Sequence, residues 1–548
     1  MKVRAAIQWF WKGSKGVRRY VMCSSFALFG NVFFSLVFVY ASKRMIDIAT
    51  GRAAGTLTGF ALLMGTCVLV QLISSAVSAR LEVKGEVLLR NRIRFNLFTH
   101  LMDSRLGGRD SLHTGDLLNR MESDVQTVSS LICAVLPATF SSLVRLSGSF
   151  VFLLILDWKL ALICLAIMPV MILCGSGFAI RMRRMTRDLR ETDSQVQAHL
   201  QENIQRRSVV SSMGHTAHAS DVLDSLQSSL ERKTMRRADY SLLWRIAIQC
   251  GFSLGYLTAF IWGILGLRSG TVSFGVMTAF LQLVSQIQRP VVELTRQLPQ
   301  FIHASVSAER LAEITDIPLE ERGSAISLGK SVGVRLSDVS FTYPDGGGVV
   351  IDGFTHDFKP GSMTAILGET GVGKSTLARL LLALLLPDTG EVTVYAEAKG
   401  GAPAMAVKAS PRTRCNFVYV PQGNTLLSGT IRDNLRISNP DAGEEQMREA
   451  LHTACADFVY SLPDGLDTVC AELGTGLSEG QAQRIAIARG LLRPGSVLLL
   501  DEPTSSLDSE TEAELLTRLS ANLSGRTLII ITHRGPAASL CPEQVVIG

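Results

Sequence analysis

Gly368-Glu369-Thr370-Gly371-Val372-Gly373-Lys374-Ser375 is the stretch on which the fold turns. It has the spacing G-x-x-x-x-G-K-[ST], follows the strand-like run Met363–Leu367 and precedes a helix-like run over 376–386. In that setting glycines let backbone N–H groups wrap a phosphate chain at a helix N-terminus. Lys374 reaches the β and γ phosphates, and the Ser375 hydroxyl is a ligand for Mg²⁺. Further on, Ser496-Val497-Leu498-Leu499-Leu500-Asp501-Glu502 reads as a buried strand ending in two carboxylates. Asp501 suits Mg²⁺ held through water, and Glu502 suits polarising a water for in-line attack on a γ-phosphate. An apolar strand ending in Asp-Glu says little alone. Joined to the phosphate loop, it specifies an α/β nucleoside triphosphatase that begins near Gly333, where short β-branched strands start.

Upstream of 333 the composition changes. Uncharged runs cover 21–42, 53–79, 160–180, 246–267 and 269–288, and a sixth, 131–156, is interrupted only by Arg145. Each is about the 20 residues that a helix needs to cross hydrocarbon. Six spans put both ends on one side. The segment 1–20 and the long polar connections 80–130 and 181–245 carry 26 Lys/Arg, against five in the three short connections. The positive-inside bias therefore expects both termini and both long loops in the cytoplasm. Leu117, Met121, Val125 and Val128 recur at helical spacing, so the helices are expected to continue beyond the bilayer.

The whole chain agrees with a membrane protein. It has 548 residues, of which 47% are hydrophobic and only 19% charged. Residues 1–330 hold 37 Lys/Arg against 23 Asp/Glu, and residues 331–548 hold 17 against 25. The basic half flanks apolar runs instead of forming a polar surface, which argues against nucleic-acid binding. Ten cysteines stand singly without zinc or disulfide spacing, and half lie in apolar runs. The basic N-terminus looks like a secretory signal, but its apolar run lacks a small-residue cleavage site and is read as a retained first span. Arg145, mid-span, has two open readings: snorkelling or pairing with helix carbonyls or a Gln such as Gln71 or Gln282, or contact with an anionic part of a substrate. No acidic residue falls in the six runs. Gln282, Gln286 and Arg289 share one helix face.

Between the phosphate loop and the carboxylate strand lies Leu477-Ser478-Glu479-Gly480-Gln481, close to the L-S-G-G-Q signature with Glu479 in place of its first glycine. With this motif the chain resembles an ATP-binding cassette exporter of the half-transporter kind over nearly its full length. The resemblance implies that Tyr343 stacks on adenine, that Gln422 in Val420-Pro421-Gln422 senses Mg²⁺, that Asp508 belongs to the D-loop, and that His533 holds the γ-phosphate. Gly115 to Arg120 with Asp124 resembles the first coupling segment, and Phe274 to Pro290 with Glu309-Arg310 the sixth helix and its exit. The usual C-terminal helices are expected to be short or missing, and no leader-peptidase domain is expected ahead of the first span.

The fold class expected is thus an α-helical six-span transmembrane domain followed by an α/β phosphate-loop ATPase. It divides into a cytoplasmic segment 1–20, a membrane domain 21–312, a linker 313–332 and a nucleotide-binding domain 333–548. The catalytic set is Glu502, His533 and Gln422. The ATP contacts are Tyr343, Gly368 through Thr376, Ser478, Glu479, Gly480, Gln481 and Asp508; Ser375, Gln422 and Asp501 hold Mg²⁺; Arg145, Gln282 and Gln286 are the substrate candidates. Two chains, a homodimer favoured over a heterodimer, would sandwich two ATP molecules and drive export by alternating access, in a bacterial inner membrane. An importer built on the exporter fold and an ATP-gated channel or sensor subunit are the alternatives.

Overall fold

The computed structural model describes residues 16–105, 114–156, 158–343, 348–369, 371–397, 403–470, 476–523 and 525–547; for 114, 159–176, 179, 295 and 298 it describes the backbone alone. The chain divides into a helical unit, Met1–Asn96 with Asn119–Ala312, and an α/β unit, Leu97–Leu118 with Glu313–Gly548.

Six long helices carry the apolar runs: α1 Arg18–Ala49, α2 Leu57–Met102, α3 Gly115–Leu156, α4 Trp158–Gln205, α5 Thr216–Arg268 and α6 Phe274–Thr315. The 46 residues of α2 make a rod of about 69 Å at 1.5 Å per residue, roughly twice the hydrocarbon thickness. Much of the long polar connections is therefore helix. Four helices among the described residues, α1, α2, α3 and α5, are long and apolar enough to cross a membrane. The count of six is not matched on that measure. In α6, Gln282, Gln286, Gln288 and Arg289 dilute the apolar run, and the apolar side chains of α4 lie largely outside the described residues.

Val39, Leu153, Ala259, Phe280, Leu283 and Ile287 join α1, α3, α5 and α6 in one buried cluster. At the start of α6, a Cβ on Gly275 would stand 2.4 Å from the Lys43 carbonyl oxygen, so only glycine lets the two backbones approach. The Gly275 N–H donates to Asp47 Oδ1 at 3.2 Å there. Helix α3 contains two π-helical segments, Arg120–Asp124 and Leu131–Val135. Pro137, which lacks the N–H that would bond the Cys133 carbonyl, follows the second and accounts for its wider turn. Helix α6 continues through Pro290 and Pro299, beyond the point where the apolar run ends in the sequence.

The α/β unit has two main sheets. Strands β1 Val332–Thr342, β2 Val349–Phe358, β4 Thr389–Glu397 and β5 Pro403–Lys408 form an antiparallel sheet ordered β2-β1-β4-β5. Strands β3 Met363–Leu367, β6 Phe417–Val420, β9 Val497–Asp501, β10 Thr527–Ile531 and β11 Glu543–Val546 form a parallel sheet ordered β11-β3-β10-β9-β6. Strands β7 Gly429–Thr430 and β8 Val469–Cys470 pair separately. β9 and β10 are buried at every position, as a parallel strand covered on both faces requires. The helices used below are α7 Lys374–Leu381, α8 Ile431–Arg436, α9 Glu444–Thr453, α10 Glu479–Leu491, α11 Ser509–Ala521 and α12 Gly535–Leu540.

The segment expected as a linker is a bonded strap within the α/β unit. Arg105 N–H donates to the Pro318 carbonyl at 3.0 Å and Glu320 N–H to that of Asp103 at 2.8 Å. Arg414 makes two hydrogen bonds of 2.7 Å to the Glu320 carboxylate. Leu328 N–H donates to Asn416 Oδ1 at 2.8 Å.

Candidate functional site

In the parallel sheet Ile366, Ile531 and Asp501 fall in one register row across β3, β10 and β9. The loops that leave these strand ends therefore start side by side, at the carboxyl edge where ligands of open α/β sheets bind. The phosphate loop leaves β3. Gly371 and Gly373 are left-handed at φ 94° and 105°, and a Cβ on Gly368 would stand 2.5 Å from the Ile547 carbonyl oxygen. These positions require glycine. Lys374 opens α7 and is buried; its Nζ donates to the carbonyls of Gly368 at 2.7 Å and Glu369 at 2.8 Å, which folds the loop around the ammonium. Val372 packs on the core beneath the loop. Thr370 lies outside the described residues. Thr376, buried on α7, meets the Tyr343 hydroxyl at 3.1 Å, while the Tyr343 ring packs edge-on against Phe341.

Asp501 ends β9. Burial holds its carboxyl above the usual range and Glu502 adds to this, while a hydrogen bond from Ser375 and the charge of Lys374 pull it back. The Ser375 hydroxyl and this carboxylate supply two adjacent hard oxygens of the kind Mg²⁺ takes. Among the described residues no group of three or more His, Cys, Asp or Glu forms a complete metal cage. The pair therefore fits a cation whose remaining ligands are phosphate oxygens and water. Burial also pushes the Tyr419 hydroxyl up to about 12, with Asp501 reinforcing the shift.

Glu502 is the convergence point. Gln422 Nε2 donates to its Oε2 at 2.7 Å, and His533 Nδ1 lies 3.2 Å from Oε1. Its backbone is left-handed at φ 48°, an uncommon state for a residue with a Cβ. Four bonds hold that state: Glu502 N–H to the Ile531 carbonyl at 2.9 Å, and Gln483 Nε2, Ser505 Oγ and Ser505 N–H to the Glu502 carbonyl at 2.6, 3.1 and 3.3 Å. Strain of this kind gathers at functional sites when neighbours enforce it.

The signature residues are built differently. Ser478 caps α10: its Oγ accepts from Gln481 N–H at 3.2 Å and its N–H donates to Gln481 Oε1 at 2.9 Å. Glu479 lies in the first turn, where a carboxylate suits the helix dipole. A Cβ on Gly480 would stand 2.7 Å from the Ser506 carbonyl oxygen, so the 504–508 loop lies against α10. Asp508 caps α11 through the Thr511 N–H, which holds its carboxyl below the usual range.

Sequence reading missed three residues that hold this site: Gln483, Ser505 and Arg534. Arg534 donates to the carbonyls of Ser505 at 2.8 Å and Leu507 at 3.0 Å. All three act on backbone carbonyls, which no motif records. The available signal was Gln483, a polar residue three positions after Gly480 and four before Ile487, on one face of α10.

In the helical unit Arg145 donates to Asn31 Oδ1 at 3.1 Å, and Asn31 Nδ2 donates to the Gln71 carbonyl at 3.1 Å. Its side-chain partner is Asn31, not Gln71 or Gln282. No acidic residue falls in the six apolar runs, yet Glu293, just beyond the last of them, is a charged neighbour of Arg145, as is Arg289. Glu293 is there because α6 does not stop at Pro290. Gln282 donates to Ser42 Oγ at 3.4 Å and Gln286 to Ser35 Oγ at 2.9 Å. Further along, Ser142 donates to Glu293 at 2.9 Å and Thr139 to Gln297 at 2.7 Å, so the polar stripe of α6 faces α1 and α3. At the exit Arg310 pairs with Asp124 at 3.1 Å, to which Ser307 also donates at 2.8 Å.

Residues 21–291 match the family described as the ABC transporter transmembrane region, and residues 351–505 match ABC transporter. A multidrug resistance ABC transporter ATP-binding and permease protein of Lactococcus lactis is 29% identical over 84% of this chain and 78% of its own. An ATP-dependent lipid A-core flippase of Chromobacterium violaceum is 30% identical over 81% and 76%. A solved bacterial Atm1-family ABC exporter with ATP bound superposes with a TM-score of 0.79 over 97% of this chain and 94% of that one, at 22% identity, and shares its fold.

Proposed function

Because the chain belongs to the ABC transporters, with the transmembrane region fused to the ATPase, we propose that it exports a substrate by alternating access, powered by ATP. The working form is a homodimer in a bacterial inner membrane, with all six long helices crossing the bilayer and both termini in the cytoplasm. The observation that carries this reading is the grip of Gln422 and His533 on opposite oxygens of the Glu502 carboxylate beside the phosphate loop.

In this reading Lys374 leaves its loop carbonyls to bind β and γ phosphates, and the loop N–H groups take the phosphate oxygens. Ser375 and Asp501 hold Mg²⁺, with Gln422; the bound ion would neutralise developing phosphate charge. Glu502 orients the water in line, and His533 bonds the γ-phosphate. Tyr343 stacks on adenine. Ser478, Glu479, Gly480, Gln481 and Asp508 complete the site of the partner chain. Nucleotide-driven closure favours the outward-facing state by differential affinity for the closed dimer. Arg145, Gln282 and Gln286 lie on the polar face between α1, α3 and α6 that the substrate would follow.

ATP-dependent flux of fluorescent amphiphiles and lipids in proteoliposomes tests the proposal. Flux that needs ATP and vanishes in Glu502→Gln supports it; hydrolysis without any flux, or flux without ATP, rejects it.

A further inference from the structure

Gln483 is a polar side chain fully removed from solvent in the middle of α10. Its Nε2 donates at 2.6 Å to the backbone carbonyl of Glu502, and its Oε1 is buried without a partner among the described residues. Leaving a buried amide oxygen unpaired is unfavourable, and an apolar residue here would avoid that cost. The amide therefore serves its N–H bond. That bond lands on the one residue of the site, among the described residues, that is both non-glycine and left-handed, Glu502 at φ 48°. The side chain of Glu502 meets Gln422 and His533 while its carbonyl takes Gln483 and Ser505. The peptide is thus gripped on one side and the carboxylate on the other, so a shift of α10 changes where the carboxylate points.

The N-terminus of the same helix is the signature segment. Ser478 and Gln481 close its cap, and Gly480 lies against the Ser506 carbonyl, whose loop Arg534 holds through Ser505 and Leu507. From Ser478 to Gln483 is little more than one turn of an unbroken helix. We infer that Gln483 is a positioning residue that transmits the position of the signature helix to the peptide of Glu502, so that engagement of the signature with nucleotide sets the hydrolytic carboxylate of the same chain. This rests on the proposed dimer. There the signature of one chain serves one ATP and Glu502 of that chain serves the other, and Gln483 couples the two.

The test uses the full chain in lipid nanodiscs. Gln483→Met keeps length and volume but removes the donor, and Gln483→Glu keeps shape but sets an acceptor against the carbonyl. Both are expected to lower maximal ATP turnover by roughly tenfold or more. Affinity for ATP without Mg²⁺ should stay within about twofold, since the phosphate loop is untouched. Any sigmoidal dependence of turnover on ATP concentration in the unsubstituted protein should flatten to hyperbolic. Turnover within about twofold of the unsubstituted protein, or a loss that tracks ATP affinity, overturns the assignment. A double-mutant cycle guards against a purely structural effect: in a Glu502→Gln background Gln483→Met should cost no further turnover, because the group it positions is gone. A further loss in that background also overturns the inference. Full turnover in Glu502→Gln alone would instead sink the assignment of Glu502 and leave the hydrogen-bond geometry of Gln483 as it is.

Discussion

Glu502 and Lys374 both serve the γ-phosphate in the proposed site, one through the attacking water and the other directly, and their substitutions should separate chemistry from binding. Glu502→Gln removes the water-orienting carboxylate yet keeps the partner bonds to Gln422 and His533 possible. Turnover is expected to fall by about 10² to 10⁴, the usual contribution of a positioned acid–base group, with ATP affinity retained. Lys374→Ala deletes the charge that now binds the Gly368 and Glu369 carbonyls; it should lower ATP affinity itself. Equilibrium binding and steady-state turnover on both variants decide this, and equal ATP affinity for Lys374→Ala and the unsubstituted chain would reject its role. These residues were legible from the sequence because each sits in a contiguous motif whose spacing encodes its geometry. Gln483, Ser505 and Arg534 were not, because their targets are carbonyls brought near only by the folded sheet edge.

At the scale of elements, α3 is tied by polar contacts to α6 along much of its length and to α1. Near the exit, Asp124 in the first π segment of α3 pairs with Arg310 and accepts from Ser307 of α6. Asp124 is buried while Arg310 is about a third exposed, so breaking the pair should cost less than the 3–5 kcal/mol of a fully buried one. Asp124→Ala is expected to destabilise by about 2 kcal/mol, read as a lower melting temperature; an unchanged melt would show the pair to be solvent-screened. Deeper in the unit, Arg145 and Asn31 tie α3 to α1 beside Glu293. If this polar face recognises substrate, Arg145→Met should reduce substrate stimulation of ATP turnover more than unstimulated turnover. Loss of folding, or unchanged stimulation, would leave Arg145 a structural clamp. The sequence showed the cost of a mid-span Arg but not its neighbours. Asn31 lies 114 positions away, and Glu293 was hidden by a proline that ends the apolar run without ending the helix. The first π turn of α3 was also illegible, since no proline marks it and it depends on which carbonyl each N–H finds.

For the whole molecule the decisive question is whether two chains share each ATP. Ser478 spends its hydroxyl capping α10 and lies on a different loop from the phosphate-binding residues of its own chain, so in the proposed assembly it acts on nucleotide held by a second chain. Two mixed dimers with the same lesions, Ser478→Ala and Lys374→Ala, separate this from a single-chain site. With one lesion on each chain, the damaged phosphate loop faces the damaged signature, and the other site keeps both halves whole. With both lesions on one chain, each site has one damaged half. Dimers isolated by two different affinity tags should therefore hydrolyse ATP measurably in the first arrangement and near background in the second, although their compositions are identical. Equal turnover in the two arrangements would mean that signature and phosphate loop do not meet across chains. Turnover proportional to chain concentration, with no dimer formed in the presence of ATP, would reject the shared site altogether.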